Sequence, residues 1–247
     1  MIPNPILKVL SSIRANRVRA LLMGGQACVL YGAAEFSRDT DFAIVADPAN
    51  LERLRKAVED LQARVIAVPP FEEKYLRRGH AIHFRCQHPD AAGMRVDFMS
   101  RMRGVDSFPK LWQRRTVMEL PDGTPCDLLS LPDLVQAKKT QRDKDWPMIR
   151  RLVEAHYFEN RNRANKAQIK FWLRELRTPE LLVEVAQANL LLSRRLALSR
   201  RLLAHAAMGE TARVGKLLLA EESAMRDEDR RYWLPLRKEL QNLRRDR

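Results

Sequence analysis

The apolar run Ala20-Leu21-Leu22-Met23 stops at a glycine pair, Gly24-Gly25. After thirteen intervening residues, Asp39-Thr40-Asp41 leads directly into a second apolar run, Phe42-Ala43-Ile44-Val45. A short apolar run closed by paired glycines is the pattern of a buried strand that turns sharply into a helix, because glycine tolerates conformations other residues do not. Residues two apart on a strand share a face, so Asp39 and Asp41 project to one side. A third carboxylate, Asp97, lies within the apolar segment 94–99, where an uncompensated charge is costly to bury. A metal would relieve that cost, and so would Arg95, which shares its strand face. Three carboxylates on neighbouring strands make a set of hard oxygen donors suited to Mg²⁺. The glycine turn adds backbone N–H groups at a helix start near Gln26, where the helix dipole favours phosphate. Together these residues read as nucleotide plus metal.

The surrounding pattern predicts two regimes. Segments 20–23, 42–45, 64–68, 81–85 and 94–99 read as strands, while Leu51, Leu54, Val58 and Leu61 recur at helix spacing across 48–63. That mixture predicts an α/β domain over residues 1–130, a small mixed sheet with helices. Beyond Pro132 nearly everything is helical in pattern, giving a helical C-terminal domain over 131–247. In it, Thr178-Pro179-Glu180 is a helix start, an apolar helix is expected from 181 to 203, and Met208-Gly209 and Leu234-Pro235 are breaks. Leu134, Lys138, Arg142 and Asp145 follow one another at spacings of four, four and three, which puts them near one face of a helix.

Met23-Gly24-Gly25, Asp39-Thr40-Asp41 and Asp97 resemble the pattern of the nucleotidyltransferase superfamily, over roughly residues 15 to 155. Gly24-Gly25-Gln26-Ala27 through Tyr31-Gly32, with Ser37-Arg38-Asp39-Thr40-Asp41, is similar to its minimal, toxin-associated branch. Leu131-Pro132-Asp133-Leu134-Val135-Gln136-Ala137-Lys138-Lys139 followed by Arg142-Asp143-Lys144-Asp145 resembles that branch's Lys, Arg and Asp helix motif. One position departs: many relatives carry a basic residue four before the first metal aspartate, where this chain has Glu35. The resemblance implies a polymerase-beta-like sheet and two Mg²⁺ ions, or Mn²⁺, held by Asp39, Asp41 and Asp97. It also implies NTP phosphates bound by Gly24, Gly25, Ser37, Lys138, Arg142, Lys144 and Asp145, with NMP transfer and release of pyrophosphate. Its acceptors include the 3′ end of tRNA, protein hydroxyls (AMPylation) and small molecules, and a cognate antitoxin is a possible partner.

Charge bears on the acceptor. The formal net charge of +14 divides into +6 for residues 1–150 (24 Lys and Arg against 18 Asp and Glu) and +8 for 151–247 (21 against 13). Such a balance attracts polyanions, which favours RNA over a polycationic small molecule. A catalytically silent RNA- or partner-binding protein of the same fold is the alternative. No segment reaches the apolar length of a membrane span, and the N-terminus lacks a signal-peptide pattern, so a cytoplasmic protein with no membrane partner is expected. Cys28, Cys86 and Cys126 form no Cys-x-x-Cys pair and read as buried small hydrophobes. His80, His83, Cys86 and His88 cluster in sequence, but strand alternation sends His83 and Cys86 to opposite faces, which argues against a zinc site. Ser37 either bonds phosphate or caps its turn; Phe171 and Trp172 read as helix core. Arg194-Arg195 and Arg200-Arg201 are candidates for an acceptor groove.

Overall fold

The computed structural model describes residues 4–120 and 122–245. The chain divides into two units, one formed by Met1–Ala137 with Tyr232–Arg247, the other by Lys138–Arg231. A single cut near residue 130, as the sequence suggests, misses that the chain's end belongs with its beginning.

In the first unit the elements run α1 (Asn4–Ala15), β1 (Ala20–Met23), α2 (Gly24–Leu30), β2 (Asp39–Ile44), α3 (Pro48–Asp60), β3 (Arg64–Val65), α4 (Glu73–Arg78), β4 (Ile82–Arg85), β5 (Arg95–Met99), α5 (Phe108–Gln113), β6 (Thr116–Glu119), β7 (Pro125–Leu128) and α6 (Leu131–Lys138). The seven strands form one mixed sheet in the order β3-β4-β5-β2-β1-β7-β6. β2 pairs with β5, and β1 with β7, in parallel; the other neighbours are antiparallel. The α/β expectation therefore holds, with a larger sheet than the five runs foretold. β6 and β7 escape the apolar pattern because β6 is an edge strand with Val117 left 55% exposed, and β7 begins on a proline, which the first position of a strand tolerates.

One sheet face carries the aromatic core: Phe42, Phe84 and Phe98 are buried, with ring centroids of Phe42 and Phe98 5.5 Å apart and those of Phe84 and Phe98 5.8 Å apart. Helix α3 starts where Asp47 accepts the Asn50 N–H and Pro48 occupies the first turn, and it buries Leu51, Leu54, Ala57 and Val58 as its spacing requires. The Asn50 side chain accepts from the Arg19 N–H and donates to the carbonyls of Arg19 and Val45, tying α3 to the ends of β1 and β2.

The second unit is helical: α7 (Asp145–Asn160), α8 (Lys166–Glu175), α9 (Pro179–Ala188), α10 (Leu190–Ala197), α11 (Leu202–Ala207) and α12 (Thr211–Arg245), whose last turns fall in the first unit. The break at Met208-Gly209 is present, whereas α12 runs through Pro235 without stopping. The expected helix over 181–203 is three helices. Asn189 leaves helical geometry with its side chain bonded to the Val185 carbonyl, and Ser199 bonds back to the Leu196 carbonyl; both divert the backbone from a continuous helix. Thr178 starts α9 without a side-chain cap, since its hydroxyl donates to Glu154 and accepts from Arg150. Among the described residues no helix is long and apolar enough to cross a membrane.

Candidate functional site

The two aspartates expected just ahead of a strand are its first turn of residues: β2 begins at Asp39. Its register sets Asp41 opposite Met23 on β1 and opposite Asp97 on β5, and Asp39 opposite Arg95. Directly paired residues project to the same face, so all three carboxylates lie on the side of the sheet opposite Phe42 and Phe98. The next strand continues the row, with His83 of β4 opposite Asp97.

Asp97 is buried, and it is compensated by protein rather than left bare. Arg95 donates to it twice, Nε to Oδ1 at 3.0 Å and Nη2 to Oδ2 at 2.8 Å, while His83 Nδ1 lies 2.9 Å from Oδ1. Burial pushes the Asp97 carboxyl up, but the hydrogen bonds from His83 and Arg95 outweigh it and hold the group below the ordinary carboxylate range. Arg95 is raised in turn by its hydrogen bond to Asp97, and after burial's opposing pull by the charges of Asp97, Asp39 and Asp41. A guanidinium thus feels all three carboxylates. His83 is a partner the sequence did not disclose, because the pairing of β4 with β5 is a tertiary fact. The four residues of the His/Cys cluster go separate ways: His80 to Glu239, His83 to Asp97, His88 to the Asp90 N–H, and Cys86 into the core.

The glycines are packed against this carboxylate row. A β-carbon at Gly24, whose φ is +68°, would fall 1.9 Å from Asp41 Oδ2, and one at Gly25 would fall 2.5 Å from Ser37 Oγ. Ser37 donates to the Asp39 carbonyl at 3.0 Å, the turn-capping role of its two alternatives. The close approach that requires the glycine pair is therefore made to Asp41 and Ser37 themselves. Helix α2 begins at Gly24, two residues before the expected start. Glu35 is exposed in the loop ahead of β2.

In the second unit Lys138, Arg142 and Asp145 do come together, but not along one helix. α6 ends at Lys138, the chain turns at Thr140, and Asp145 is the first residue of α7. Buried Asp145 accepts from Lys138 Nζ at 3.1 Å, Thr140 Oγ1 at 2.5 Å and Arg142 Nε at 2.8 Å. Burial alone would raise its carboxyl; the charge of Lys138, the Thr140 hydroxyl and Arg142 together hold it below the ordinary range. Trp146 Nε1 donates to the Thr140 carbonyl, and Asp229 accepts the Gln141 N–H, closing the turn. Thr140 is thus a member of the constellation that side-chain spacing on a straight helix could not show. Lys144 is exposed beside it, and Lys139 is buried against Glu175. Trp172 is helix core. Arg200 serves the interior, bonding Glu221 and the carbonyls of Leu173 and Leu176, whereas Arg194, Arg195 and Arg201 are exposed. The second unit also holds a cavity of about 300 Å³ lined by Tyr157, Arg161, Trp172, Glu184 and Asn189, which contains none of the expected site residues.

The donor set can be tested against a divalent cation. Three carboxylates on one face of adjacent strands, two of them in a single cross-strand row, have the chemistry of a magnesium site. Among the described residues no group of three His, Cys, Asp or Glu side chains is placed to hold an ion, and Asp97 is engaged by Arg95 and His83. The donor chemistry suits a cation, as the guanidinium already among the carboxylates indicates, but the side chains as placed do not form an ion site; ligation by all three requires Asp97 to be released from Arg95. No family model and no curated protein matches the chain.

Proposed function

We propose that the chain is a magnesium-dependent nucleotidyltransferase of polymerase-beta-like type that moves an NMP from an NTP to an acceptor hydroxyl, RNA being the acceptor its charge favours. The observation that carries the reading is the cross-strand placement of Asp39, Asp41 and Asp97 on one sheet face, with Gly24 and Gly25 so close to Asp41 and Ser37 that a β-carbon at either position would displace that neighbour. Asp39 and Asp41 would hold the metal, with Asp97 completing the set. When bound, the ion neutralises charge on the transferring phosphoryl group and acidifies the attacking hydroxyl. As the structure stands, His83 and Arg95 hold Asp97 as a carboxylate, the form in which it would ligate the metal once released from Arg95. In the first unit Gly24, Gly25 and Ser37 are assigned to the NTP phosphates; within the second, Asp145 orients the basic groups of Lys138 and Arg142 through the bonds described above.

A second reading, a binding protein without turnover, is favoured by one observation: the bidentate Arg95 contact occupies the carboxylate that a metal would need. One experiment separates the two. The protein is incubated with Mg²⁺ and each α-labelled NTP, together with total tRNA and a cell protein extract, beside an Asp39→Ala/Asp41→Ala control. Label on RNA or protein only with intact aspartates establishes the enzyme and names the acceptor. RNA binding without label on any acceptor establishes the binder. An antitoxin partner and a cytoplasmic location belong to the same proposal.

A further inference from the structure

The carboxylate face carries a second cross-strand row that neither the sequence nor the reading above used. β3 pairs Arg64 with Arg85 of β4, β4 pairs Arg85 with Arg95 of β5, and β5 pairs Arg95 with Asp39 of β2. Paired residues share a face, so three guanidiniums stand in line across adjacent strands, from the edge of the sheet to the first aspartate. Neighbouring strands are about 4.8 Å apart, which spreads the three over roughly 10 Å. Like charges directly opposite one another destabilise a sheet, so the row works against the fold that carries it. Arg95 is answered by Asp97. Arg64 and Arg85 are exposed, and among the described residues neither has a carboxylate partner. Ile66, 41% exposed, follows Arg64 on the edge and donates its N–H to the His83 carbonyl, which sets an apolar side chain beside the row.

We infer that Arg64, Arg85 and Arg95 form a track for the phosphodiester backbone of a single-stranded nucleic acid, leading from the sheet edge to Asp39. The exposed planar guanidiniums of Arg64 and Arg85 can each give paired hydrogen bonds to a phosphate, Arg95, whose Nε and Nη2 are spent on Asp97, closes the row with its charge, and Ile66 offers a surface for a sugar or base. The net charge of +14 brings such a strand to the protein. The direction of the track, acceptor end toward the carboxylates, rests on the nucleotidyltransferase reading; the binding itself does not.

The test is a salt titration of strand binding by the full chain, followed by fluorescence anisotropy with a short labelled single-stranded RNA and the DNA of the same sequence, without NTP or Mg²⁺. The Arg64→Gln/Arg85→Gln variant is compared with wild type and with Arg53→Gln/Lys56→Gln on α3, which loses the same charge elsewhere. Each lost phosphate contact on a single strand lowers the slope of log K against log salt by about 0.7, so the track variant should lose about 1.4 in slope and the α3 variant none. Equal losses on RNA and DNA support contact with the backbone. Equal losses in the track and α3 variants would mean that only total charge matters and would overturn the track. So would unchanged strand binding in the track variant with a raised KM for NTP, which would assign the row to the triphosphate. Unchanged binding with new self-association would assign it to guarding the exposed edge. Wild type that binds strands but transfers no nucleotide removes the enzyme and leaves the track; RNA labelling that the track variant retains with unaltered binding removes the track and leaves the enzyme.

Discussion

Gly24 is the residue on which the candidate site turns, for two separable reasons. Its φ of +68° is a conformation other L-residues reach at a cost of about 1–2 kcal/mol, and its missing side chain makes room for the Asp41 carboxylate. Gly32 shares the first property, with φ +72°, but a β-carbon there meets nothing within 4 Å. Gly32→Ala should therefore lose only about 1–2 kcal/mol in urea unfolding, and Gly24→Ala distinctly more. Equal losses would show that Asp41 gives way freely and that the glycine serves the turn alone. At this scale much of the site was legible. Alternation along one strand fixes the common face of Asp39 and Asp41, and that of Arg95 and Asp97 follows from the same rule. His83 was not legible, because nothing in its own neighbourhood specifies which strand it will face. The same holds for Arg64 and Arg85, two ordinary exposed arginines until register aligns them.

Helices were legible as helical sequence but not in where they stop. Lys138, Arg142 and Asp145 have the spacing of one helix, yet Thr140 supplies Asp145 with a hydroxyl partner that is available only if the chain turns. Asp145 is the hub of that turn, so Asp145→Ala should cost about 3–5 kcal/mol by leaving buried Lys138 without its counter-charge. The pH dependence has a definite sign. A carboxyl depressed in the folded state stabilises it above the unfolded carboxyl value, and that contribution is lost as pH falls through the folded one. Denaturant unfolding across the acid range should accordingly show a flatter acid limb in Asp145→Ala than in wild type; parallel limbs would put the acid sensitivity elsewhere. Pro235 makes the opposite case. It reads as a break but sits inside α12, where it removes the N–H that would bond the Arg231 carbonyl. Pro235→Ala should raise stability, by at most about 3 kcal/mol, and increase helical circular dichroism. A loss instead would mean that the proline ring packs where alanine leaves a gap.

The end of the chain matters to the whole molecule because it completes the first unit. After Tyr232, Leu236 is buried and Glu239 accepts from Arg78 and meets His80 Nε2 at 2.8 Å, with His80 only 1% exposed. Removing residues after Arg231 would leave that imidazole without its partner and open the apolar surface under Leu236, a loss no reading of two consecutive domains foresees. The cysteines report on it. Cys28, Cys86 and Cys126 are all buried in the first unit, where burial pushes the Cys86 thiol up to about 11 and the Cys126 thiol up to about 12. Thiolate is the reactive species, so in the native chain all three should react with a thiol reagent only as fast as the unit opens. Truncation after Arg231 should speed their labelling markedly and lower the melting temperature, whereas a His80→Gln variant of the full chain, which keeps Leu236 in place, should do so to a smaller degree. If the truncated chain labels no faster than the full one, the last turns of α12 do not help hold the first unit closed, and the unit is complete by Ala137.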